Sequence, residues 1–309
     1  MVNDRIENGL DAVEEKLRRV VDSDVEVLDE ASHHIISSGG KRLRPRLLFL
    51  SYLAAGGDEL DEVVPMAAAV ELVHTATLVH DDINDHSVMR RGKITVHARW
   101  GRTFALLTGD YLFTKVYEMM APYGARMNMI MAEATVSLVE GETLQAAAAK
   151  SGEIDRETYK QIISRKTASL FRASAEMGSL IAGAGDDVVA NLGEFAHNLG
   201  LAFQIVDDLL DIVGDPEVMG KPVGADVTQG MGVVAVHNGR KTHAAVAESE
   251  PDPMQQMMHR LRESGAVEVA RAEAEEMARR ARRALDRVPP SAARDELDLL
   301  VDQVLERER

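Results

Sequence analysis

Two groups of aspartates have a spacing that suits a divalent cation. Each has the pattern Asp-Asp-x-x-Asp after an apolar run, and the groups are Asp81, Asp82 and Asp85, and Asp207, Asp208 and Asp211. Residues four apart on a helix share a face, so the outer carboxylates of each group lie about 6 Å apart along the axis. Mg²⁺ in proteins commonly binds one or two carboxylates together with phosphate oxygens. One group alone is typical of a solvated helix face, but two such groups indicate a metal site.

Basic side chains follow the first group closely. Arg90 and Arg91 come within six residues of Asp85, and guanidinium groups bind phosphate oxygens in a planar, forked geometry. A second basic run, with Lys41 and Arg44, follows a Gly-Gly break and by itself is typical of a solvated turn. Metal ions and cations together stabilise a departing diphosphate. The carbon left behind becomes a cation, which forms best where water is excluded. These residues therefore predict loss of diphosphate inside an apolar enclosure.

Apolar residues recur at three-to-four spacing along most of the chain, which predicts helices. The predicted helices cover 5–22, 24–37, 46–55, 63–80, 103–120, 126–150, 157–184, 188–211, 265–287 and 292–308. Helix 103–120 is expected to be interrupted at Gly109 and Asp110. Residues 214–232, rich in glycine and proline, are expected to cover the site as a lid, and the only candidate strand is 233–236. The predicted fold class is all-α, one bundle of about ten to thirteen helices, in a single domain over 1–309.

Composition narrows the class of protein further. Cysteine is absent, which excludes disulfides and cysteine-based metal or nucleophile sites. No apolar run approaches about 18 residues, and no basic-then-apolar leader begins the chain, so we expect a cytoplasmic, soluble protein without a transmembrane segment. The net charge of −16 argues against nucleic-acid binding. With nine lysines among 35 basic residues, this acidity indicates either a cell with high internal salt or an ordinary acidic protein.

At these residues the sequence resembles the trans-polyprenyl diphosphate synthases. The resemblance covers nearly the whole chain, and the matching segments occur in family order at 39–45, 74–82, 90–92, 109–110, 140–142, 166–167, 203–204, 207–211 and 220–224. It implies the isoprenoid-synthase fold, an all-α bundle around a central apolar product tunnel. It also implies a prenyltransferase that adds isopentenyl diphosphate to an allylic diphosphate. The sequence looks most like octaprenyl-type long-chain synthases, with geranylgeranyl diphosphate synthases next.

The resemblance implies a role for each matching residue. Isopentenyl diphosphate would be bound by Lys41, Arg44, His74 and Arg91. Mg²⁺ would be held by Asp81, Asp85, Asp207 and Asp211, with Asp82 and Asp208 completing the catalytic aspartates. The diphosphate of a geranyl, farnesyl or geranylgeranyl substrate would be bound by Arg90, Lys166, Thr167, Gln204 and Lys221, and both lysines would also be catalytic.

Product length is expected to depend on side-chain size just before the first aspartate group. In the family, the residues four and five places before the first aspartate form the upper floor of the tunnel, and here they are Ala76 and Thr77. Both are small, so the floor is open and we expect products of twenty or more carbons. A deeper floor formed by Met119, Met120 and Met131 is one interpretation of those residues, and ordinary core packing is an equal alternative.

One position departs from the family pattern. A second lysine usually follows the lid in a Gly-Lys-x-Thr pattern, and Met231 stands in its place. A weakly active or non-catalytic regulatory subunit is therefore an alternative, although both aspartate groups are retained. Terpene cyclases also use aspartate motifs but lack the isopentenyl-binding residues. The resemblance further implies a homodimer, and a peripheral contact with a membrane would suit delivery of the product.

Overall fold

The computed structural model describes residues 2–151, 155–213 and 265–306, which are almost entirely helical. The helices are α1 (Val2–Val20), α2 (Glu26–Ile36), α3 (Leu43–Ala54), α4 (Val64–Asn84), α5 (Val96–Trp100), α6 (Arg102–Met120), α7 (Ala125–Ser151), α8 (Arg156–Ile163), α9 (Ser169–Ile181), α10 (Asp186–Val213), α11 (Ala266–Leu285) and α12 (Ala292–Glu306). A 3-10 turn spans Leu60–Glu62, and a π-helical turn at Ser164–Ala168 joins α8 to α9. Strand β1 (Met89–Arg90) pairs antiparallel with β2 (Lys93–Ile94). The predicted all-α class is confirmed.

Backbone contacts divide the chain into two compact units. The first contains the described residues of Met1–Thr135, Ala173–Gly193 and Arg287–Leu297, and the second contains those of Val136–Arg172, Glu194–Asp286 and Asp298–Arg309. The first aspartate group therefore belongs to the first unit and the second group to the second unit. The single domain over 1–309 stays a prediction.

The first unit is organised around α4, which packs against α1, α3 and α6. Pro65 lies in the first turn of α4, where its missing N–H leaves no helical hydrogen bond unmade. Ala67, Ala68 and Ala69 are fully buried, and their small side chains let the neighbouring helices approach closely. A helix that is covered on most sides must be apolar nearly all round. The apolar sequence of α4 continues to its last turn, where the first aspartate group begins.

Helix α6 is continuous, so the predicted interruption at Gly109 and Asp110 is wrong. Gly109 instead leaves room for a side chain of α4, because a Cβ at this position would overlap the imidazole Nε2 of His80. The His80 ring lies beside Phe113, with 6.1 Å between the ring centroids. Glycine can interrupt a helix, or it can let a neighbouring side chain approach closely. Only the packing of α4 against α6 shows that Gly109 has the second use.

The hairpin of β1 and β2 is a second difference from the prediction. The one candidate strand, 233–236, lies outside the described residues, whereas the hairpin occupies a stretch where no strand was expected. Two-residue strands are too short to show an alternating pattern. The turn between them contains Arg91 and Gly92, with φ angles of 50° and 74°, as a two-residue hairpin turn requires. This turn fixes the direction in which Arg91 leaves the backbone.

The predicted helix 157–184 is divided by the π-helical turn, which belongs to the second unit, and it ends at Ile181. Such a turn widens the helix locally and often occurs at functional sites. Helix α10 packs closely on it, since a Cβ at Gly200 would lie 2.9 Å from the Ala168 Cα. The rings of Phe171 and Phe203 add to this contact, with 5.5 Å between their centroids. The turn and α10 therefore hold their polar side chains at a common interface.

Candidate active site

The first aspartate group occupies the end of α4. Asp81 lies in the last turn, and Asp85 directly follows the final helical residue and donates its N–H to the Asp81 carbonyl at 2.8 Å. This hydrogen bond continues the helical register, so the two half-buried carboxylates share one face. The C-terminal end of a helix carries a partial negative charge. Carboxylates at that end add to the charge and favour a bound cation.

Asp82 is the buried member of the group, with 1% of its surface exposed. Its Oδ1 accepts a hydrogen bond from the Arg90 Nε at 2.7 Å. Burial raises the pKa of Asp82, against the opposing effect of Arg90. Within the described part of the chain, its Oδ2 is buried without a hydrogen-bond partner, although buried acceptors normally have one. The site therefore has an acceptor that a bound group could satisfy.

A cationic cluster surrounds His74, two turns before the aspartates in α4. The charges of Arg44, Arg90 and Arg91 all act on its imidazole. Burial, and then these guanidinium groups, hold the pKa of His74 well below its usual range, so the ring is neutral near pH 7. Burial, with a further contribution from Arg91, lowers the pKa of Arg44 to about 10. Like charges crowded in a poorly solvated place favour a bound anion, so the cluster suits a diphosphate.

Arg42 differs from its neighbours in the same basic run. Its guanidinium is 7% exposed and lies between two carboxylates: it binds Glu14, and its Nη1 donates to the Glu71 Oε1 at 2.6 Å. Glu71, in the middle of α4, is itself 2% exposed. Arg42 is therefore part of the scaffold. The sequence signal for this pairing was the single carboxylate within the apolar run of α4.

Gly40 makes room for the guanidinium group of Arg91. A Cβ at Gly40 would lie 2.6 Å from the Arg91 Nη1, and Arg91 donates a hydrogen bond to the Gly39 carbonyl. Arg42 and Arg91 have φ angles of 46° and 50°. Holding a residue other than glycine in this left-handed region costs about 1–3 kcal/mol, and such strained residues cluster at ligand sites. The first unit therefore contains the glycine pair next to two arginines that have strained backbone conformations.

The second aspartate group lies at the end of α10. Asp211 is fully buried and Asp207 is half-buried. Asp208, which is 6% exposed, accepts hydrogen bonds at both oxygens, from the Tyr159 hydroxyl at 2.6 Å and from the Gln204 Nε2 at 2.9 Å. Burial, with the charge of Asp208 beside it, holds the pKa of Tyr159 well above its usual range, so the phenol stays protonated. Sequence spacing gave no signal for Tyr159, since its partner is distant in the chain.

The π-helical turn contributes two of the predicted diphosphate ligands. The Lys166 Nζ pairs with the Glu142 Oε2 at 2.5 Å and donates to the Gln145 Oε1 at 3.3 Å. The Thr167 hydroxyl donates to the Gln204 Oε1 at 2.7 Å. The structure therefore brings Thr167 and Gln204 into contact and places Lys166 beside them in the chain. Glu142, the partner of Lys166, was not predicted as a site residue.

The donor chemistry of both groups fits a divalent cation. Each group closes a long helix, of 21 residues for α4 and 28 residues for α10, where the helix dipole adds negative charge. Carboxylate oxygens are the ligands that hard cations such as Mg²⁺ and Ca²⁺ prefer. The residues that would hold the metal are Asp81, Asp85, Asp207 and Asp211.

The residues predicted to control product length lie in the body of α4. Ala76 is fully buried, and Thr77 is half-buried, with its hydroxyl donating to the His74 carbonyl at 2.7 Å. Met120 and Met131 are buried, as either a tunnel floor or core packing requires. The part of these residues in a product tunnel stays a prediction.

The remaining predicted residues are Lys41, Lys221 and Met231, with the lid 214–232. Lys41 is exposed. Lys221, Met231 and the predicted lid 214–232 lie outside the described residues. Their roles stay predictions from the sequence.

The chain matches the sequence profile of the family described as polyprenyl synthetase over residues 25–268. The chain belongs to this family. The matched residues include both aspartate groups, the basic run from Lys41 and the π-helical turn. The resemblance inferred from the motifs is confirmed.

Named relatives cover nearly the whole chain. It is 37% identical to the heptaprenyl diphosphate synthase component 2 of Geobacillus stearothermophilus, over 94% of this chain and 92% of that protein. It is 35% identical to a short chain isoprenyl diphosphate synthase of Methanothermobacter thermautotrophicus, over 99% of both. A polyprenyl synthase structure from Caulobacter crescentus, complexed with calcium and isoprenyl diphosphate, has 32% identity and a TM-score of 0.88, covering 100% of this chain and 98% of that chain.

These comparisons confirm the fold and the class of reaction. The chain is a prenyltransferase that makes trans-prenyl diphosphates, and its family uses a divalent metal. The names of its relatives range from short-chain to octaprenyl synthases, so product length depends on features particular to each chain. Among the described residues, no helix is both long enough and apolar enough to cross a membrane.

Proposed function

We propose that this polyprenyl synthetase is a Mg²⁺-dependent head-to-tail prenyltransferase that joins isopentenyl diphosphate to an allylic diphosphate and makes a trans-polyprenyl diphosphate of twenty or more carbons. The observation that carries the proposal is that both aspartate groups close long helices, with buried polar partners around them. Mg²⁺ matches these oxygen ligands and the phosphate oxygens of the substrate.

Isopentenyl diphosphate would bind in the cationic cluster of the first unit. Arg44 and Arg91 would supply forked, charged donors, and Lys41 would supply a point charge. His74 would add a hydrogen bond from its neutral ring without adding to the repulsion among the cations. This site explains why the cluster crowds positive groups where water cannot screen them well.

The allylic diphosphate would be bound by the metal ions and by a second set of donors: Arg90, Lys166, Thr167, Gln204 and Lys221. Mg²⁺, when bound, would supply the charge that stabilises the departing diphosphate. The ion pairs of Arg90 with Asp82 and of Lys166 with Glu142 hold both cations in place before the substrate arrives. Such prior ordering reduces the side-chain entropy lost on binding.

Product length would be set by the open floor at Ala76 and Thr77. A short-chain product would need a bulky side chain there, and the relatives' names alone span both classes. The full burial of Ala76 supports a position facing the interior. Because the side chains at this position are small, the tunnel would have room for a chain of more than fifteen carbons.

The proposed assembly is a homodimer located in the cytoplasm, with peripheral delivery of product to a membrane. Helix α6 exposes several large apolar side chains; Phe104 is 42% exposed, Leu107 is 50% exposed and Tyr117 is 74% exposed. Exposed apolar residues grouped on one helix mark interaction sites. A second copy of the chain is the partner we assign to this face.

The test is an isopentenyl incorporation assay with Mg²⁺ and with geranyl, farnesyl or geranylgeranyl diphosphate, in which the products are sized by mass. The wild type should form products of twenty or more carbons, and Ala76→Phe should shorten them. Ala69→Phe is the control, since Ala69 is also fully buried in α4 but lies two turns further from the aspartates. It should lose stability through overpacking, by about 1–3 kcal/mol, without shortening the product. Unchanged product length in Ala76→Phe would refute the floor assignment.

Two alternatives give different results in the same assay. A regulatory subunit would incorporate no isopentenyl diphosphate alone, and turnover restored by Met231→Lys would support that interpretation. The name of one relative, component 2 of a heptaprenyl diphosphate synthase, shows only that such a chain can be one component of a larger synthase. A terpene cyclase would consume the allylic substrate without incorporating isopentenyl diphosphate.

A further inference from the structure

Asp208 is held by hydrogen bonds to side chains on two helices. Both of its carboxylate oxygens accept hydrogen bonds from neutral donors, Tyr159 at 2.6 Å and Gln204 at 2.9 Å. Its surface is 6% exposed, and the Tyr159 side chain that faces it is 4% exposed. A carboxylate fixed at both oxygens in this way has a defined rotamer and a defined partner on another helix.

Helix geometry separates Asp208 from its neighbours in the motif. Asp207 and Asp211 are four residues apart and share one face of α10, whereas Asp208 is rotated by about 100° from Asp207. The rotation directs Asp208 towards α8, where Tyr159 lies. Asp207 therefore lies on a different face from the contact between Asp208 and Tyr159, and Asp211 lies between the two, about 60° from Asp208.

The hydrogen bonds continue beyond Asp208 into the π-helical turn. The Gln204 amide donates to Asp208 through its nitrogen and accepts the Thr167 hydroxyl at its oxygen, so its orientation is fixed at both ends. One chain of donors and acceptors thus runs from Tyr159 through Asp208 and Gln204 to Thr167. It connects α8, α10 and the turn that carries Lys166. Buried networks with every member satisfied restrict a site to one geometry.

Helix α8 is itself held by an ion triad. Glu273 of α11, which is 9% exposed, pairs with the Lys160 Nζ at 2.7 Å and the Arg156 Nη2 at 3.1 Å. Lys160 directly follows Tyr159 in the chain. The triad fixes the helix that carries the donor to Asp208, so a displacement of α8 would act on the aspartate group through the hydrogen bond between Tyr159 and Asp208.

We propose that Tyr159 is a positioning residue for the second metal-binding group, and that Asp208 acts as its anchor and is not itself a metal ligand. The hydrogen bond from Tyr159 sets the rotation of the end of α10 and so directs Asp207 and Asp211 at the metal. This role rests on the proposed Mg²⁺-dependent function. Loss of a partner that orients ligands typically weakens metal affinity or activity by about 10–100-fold, and we expect Tyr159→Phe to fall in that range.

The experiment measures metal affinity directly on the full chain. Free Mn²⁺ is followed by electron paramagnetic resonance in a titration with an unreactive thiolodiphosphate analogue of the allylic substrate. Tyr159→Phe should bind Mn²⁺ at least ten times more weakly than the wild type, and its activity should need correspondingly more Mg²⁺. Tyr52→Phe is the matched control, since the Tyr52 hydroxyl donates to the Glu62 carboxylate at 3.2 Å in the first unit. It should change neither measurement.

Two further variants complete the test. If Tyr159 acts through Asp208, the double variant Tyr159→Phe/Asp208→Asn should bind Mn²⁺ no more weakly than Asp208→Asn alone. Glu273→Gln, which weakens the triad while leaving Tyr159 intact, should reduce the affinity in the same direction by a smaller factor. This variant also tests the idea should Tyr159→Phe fail to fold.

The outcomes separate the two proposals. If the wild type binds Mn²⁺ and Tyr159→Phe binds it equally well, losing only thermal stability as Tyr52→Phe does, Tyr159 is a packing residue and the positioning role is wrong. If Tyr159→Phe and Asp208→Asn weaken binding by independent, multiplying factors, the anchor role of Asp208 is wrong. If the wild type neither binds Mn²⁺ with the analogue nor incorporates isopentenyl diphosphate, the proposed function fails, and the positioning role fails with it.

Discussion

The substitution Gly141→Ala tests how closely α7 packs on the π-helical turn. Gly141 is a buried residue inside α7, next to Glu142, which pairs with Lys166. A Cβ at Gly141 would lie 2.7 Å from the Lys166 backbone nitrogen and 2.9 Å from the Arg165 Cβ. Because the first of these atoms is backbone, the contact cannot be relieved by rotating a side chain, and the turn itself must move.

Two effects of opposite sign compete in this variant. Alanine in place of glycine within a helix stabilises the folded state by about 0.5–1 kcal/mol. Overpacking a close contact costs about 1–3 kcal/mol. The structure therefore predicts a net loss of about 1–2 kcal/mol in the free energy of unfolding. Displacement of Lys166 should also reduce kcat/KM for the allylic substrate, since small misplacements of binding groups have large effects on rate.

The assay combines denaturant unfolding with steady-state kinetics, and Gly124→Ala is the control. Gly124 directly precedes the same helix, and a Cβ there would meet nothing within 4 Å. We expect a change of a few tenths of a kcal/mol in this control and normal kinetics. A Gly141→Ala enzyme that is more stable than the wild type and equally active would refute the close contact.

Two further predictions concern the first unit. Arg42→Met should lower the free energy of unfolding by about 3–5 kcal/mol, because it leaves the buried Glu71 carboxylate and the half-buried Glu14 carboxylate without their cation. Arg46→Met, at a more exposed ion pair, should lower it by about 0–1 kcal/mol. Similar losses in both variants would contradict the scaffold role of Arg42. His74 has a lowered pKa in the folded state, so below about pH 6.5 the unfolded chain binds the extra proton and the wild type loses stability as the pH falls. Between pH 7.5 and 5.5, denaturant unfolding should therefore show a smaller loss of unfolding free energy for His74→Gln than for the wild type. The difference should be up to about 1.4 kcal/mol per pH unit below 6.5. Equal losses in the two proteins would show that His74 gains a proton in the folded state as readily as in the unfolded one.

Local features of the sequence were sufficient for the class of fold and for the identity of the aspartate groups. Helical periodicity depends on residues three and four apart, and so does the alignment of Asp81 with Asp85, which the hydrogen bond between their backbones maintains. Ala67, Ala68 and Ala69 marked a close-packed helix because small side chains at successive positions have few other uses in an apolar run. These features depend on near neighbours in the chain, which the sequence contains directly.

Contacts between distant residues could not be read in this way. Arg42 and Arg44 look equivalent in the basic run, yet only Arg42 is enclosed by Glu14 and Glu71. Glycine often interrupts a helix, yet Gly109 lies within a continuous helix, where it leaves room for the His80 side chain. In both cases the role of the residue depends on which side chain of another element contacts it. Spacing along the chain does not reveal that partner.

The second aspartate group shows both sides of this division. Its spacing by itself determined that Asp207 and Asp211 share a face of a helix, because the α-helix repeats every 3.6 residues. Only the tertiary structure decided that Asp208 is hydrogen-bonded at both oxygens, by a tyrosine 49 residues away and by Gln204 one turn before it. The physical reason is that a helix fixes the direction of a side chain, whereas packing against other helices decides what that side chain meets.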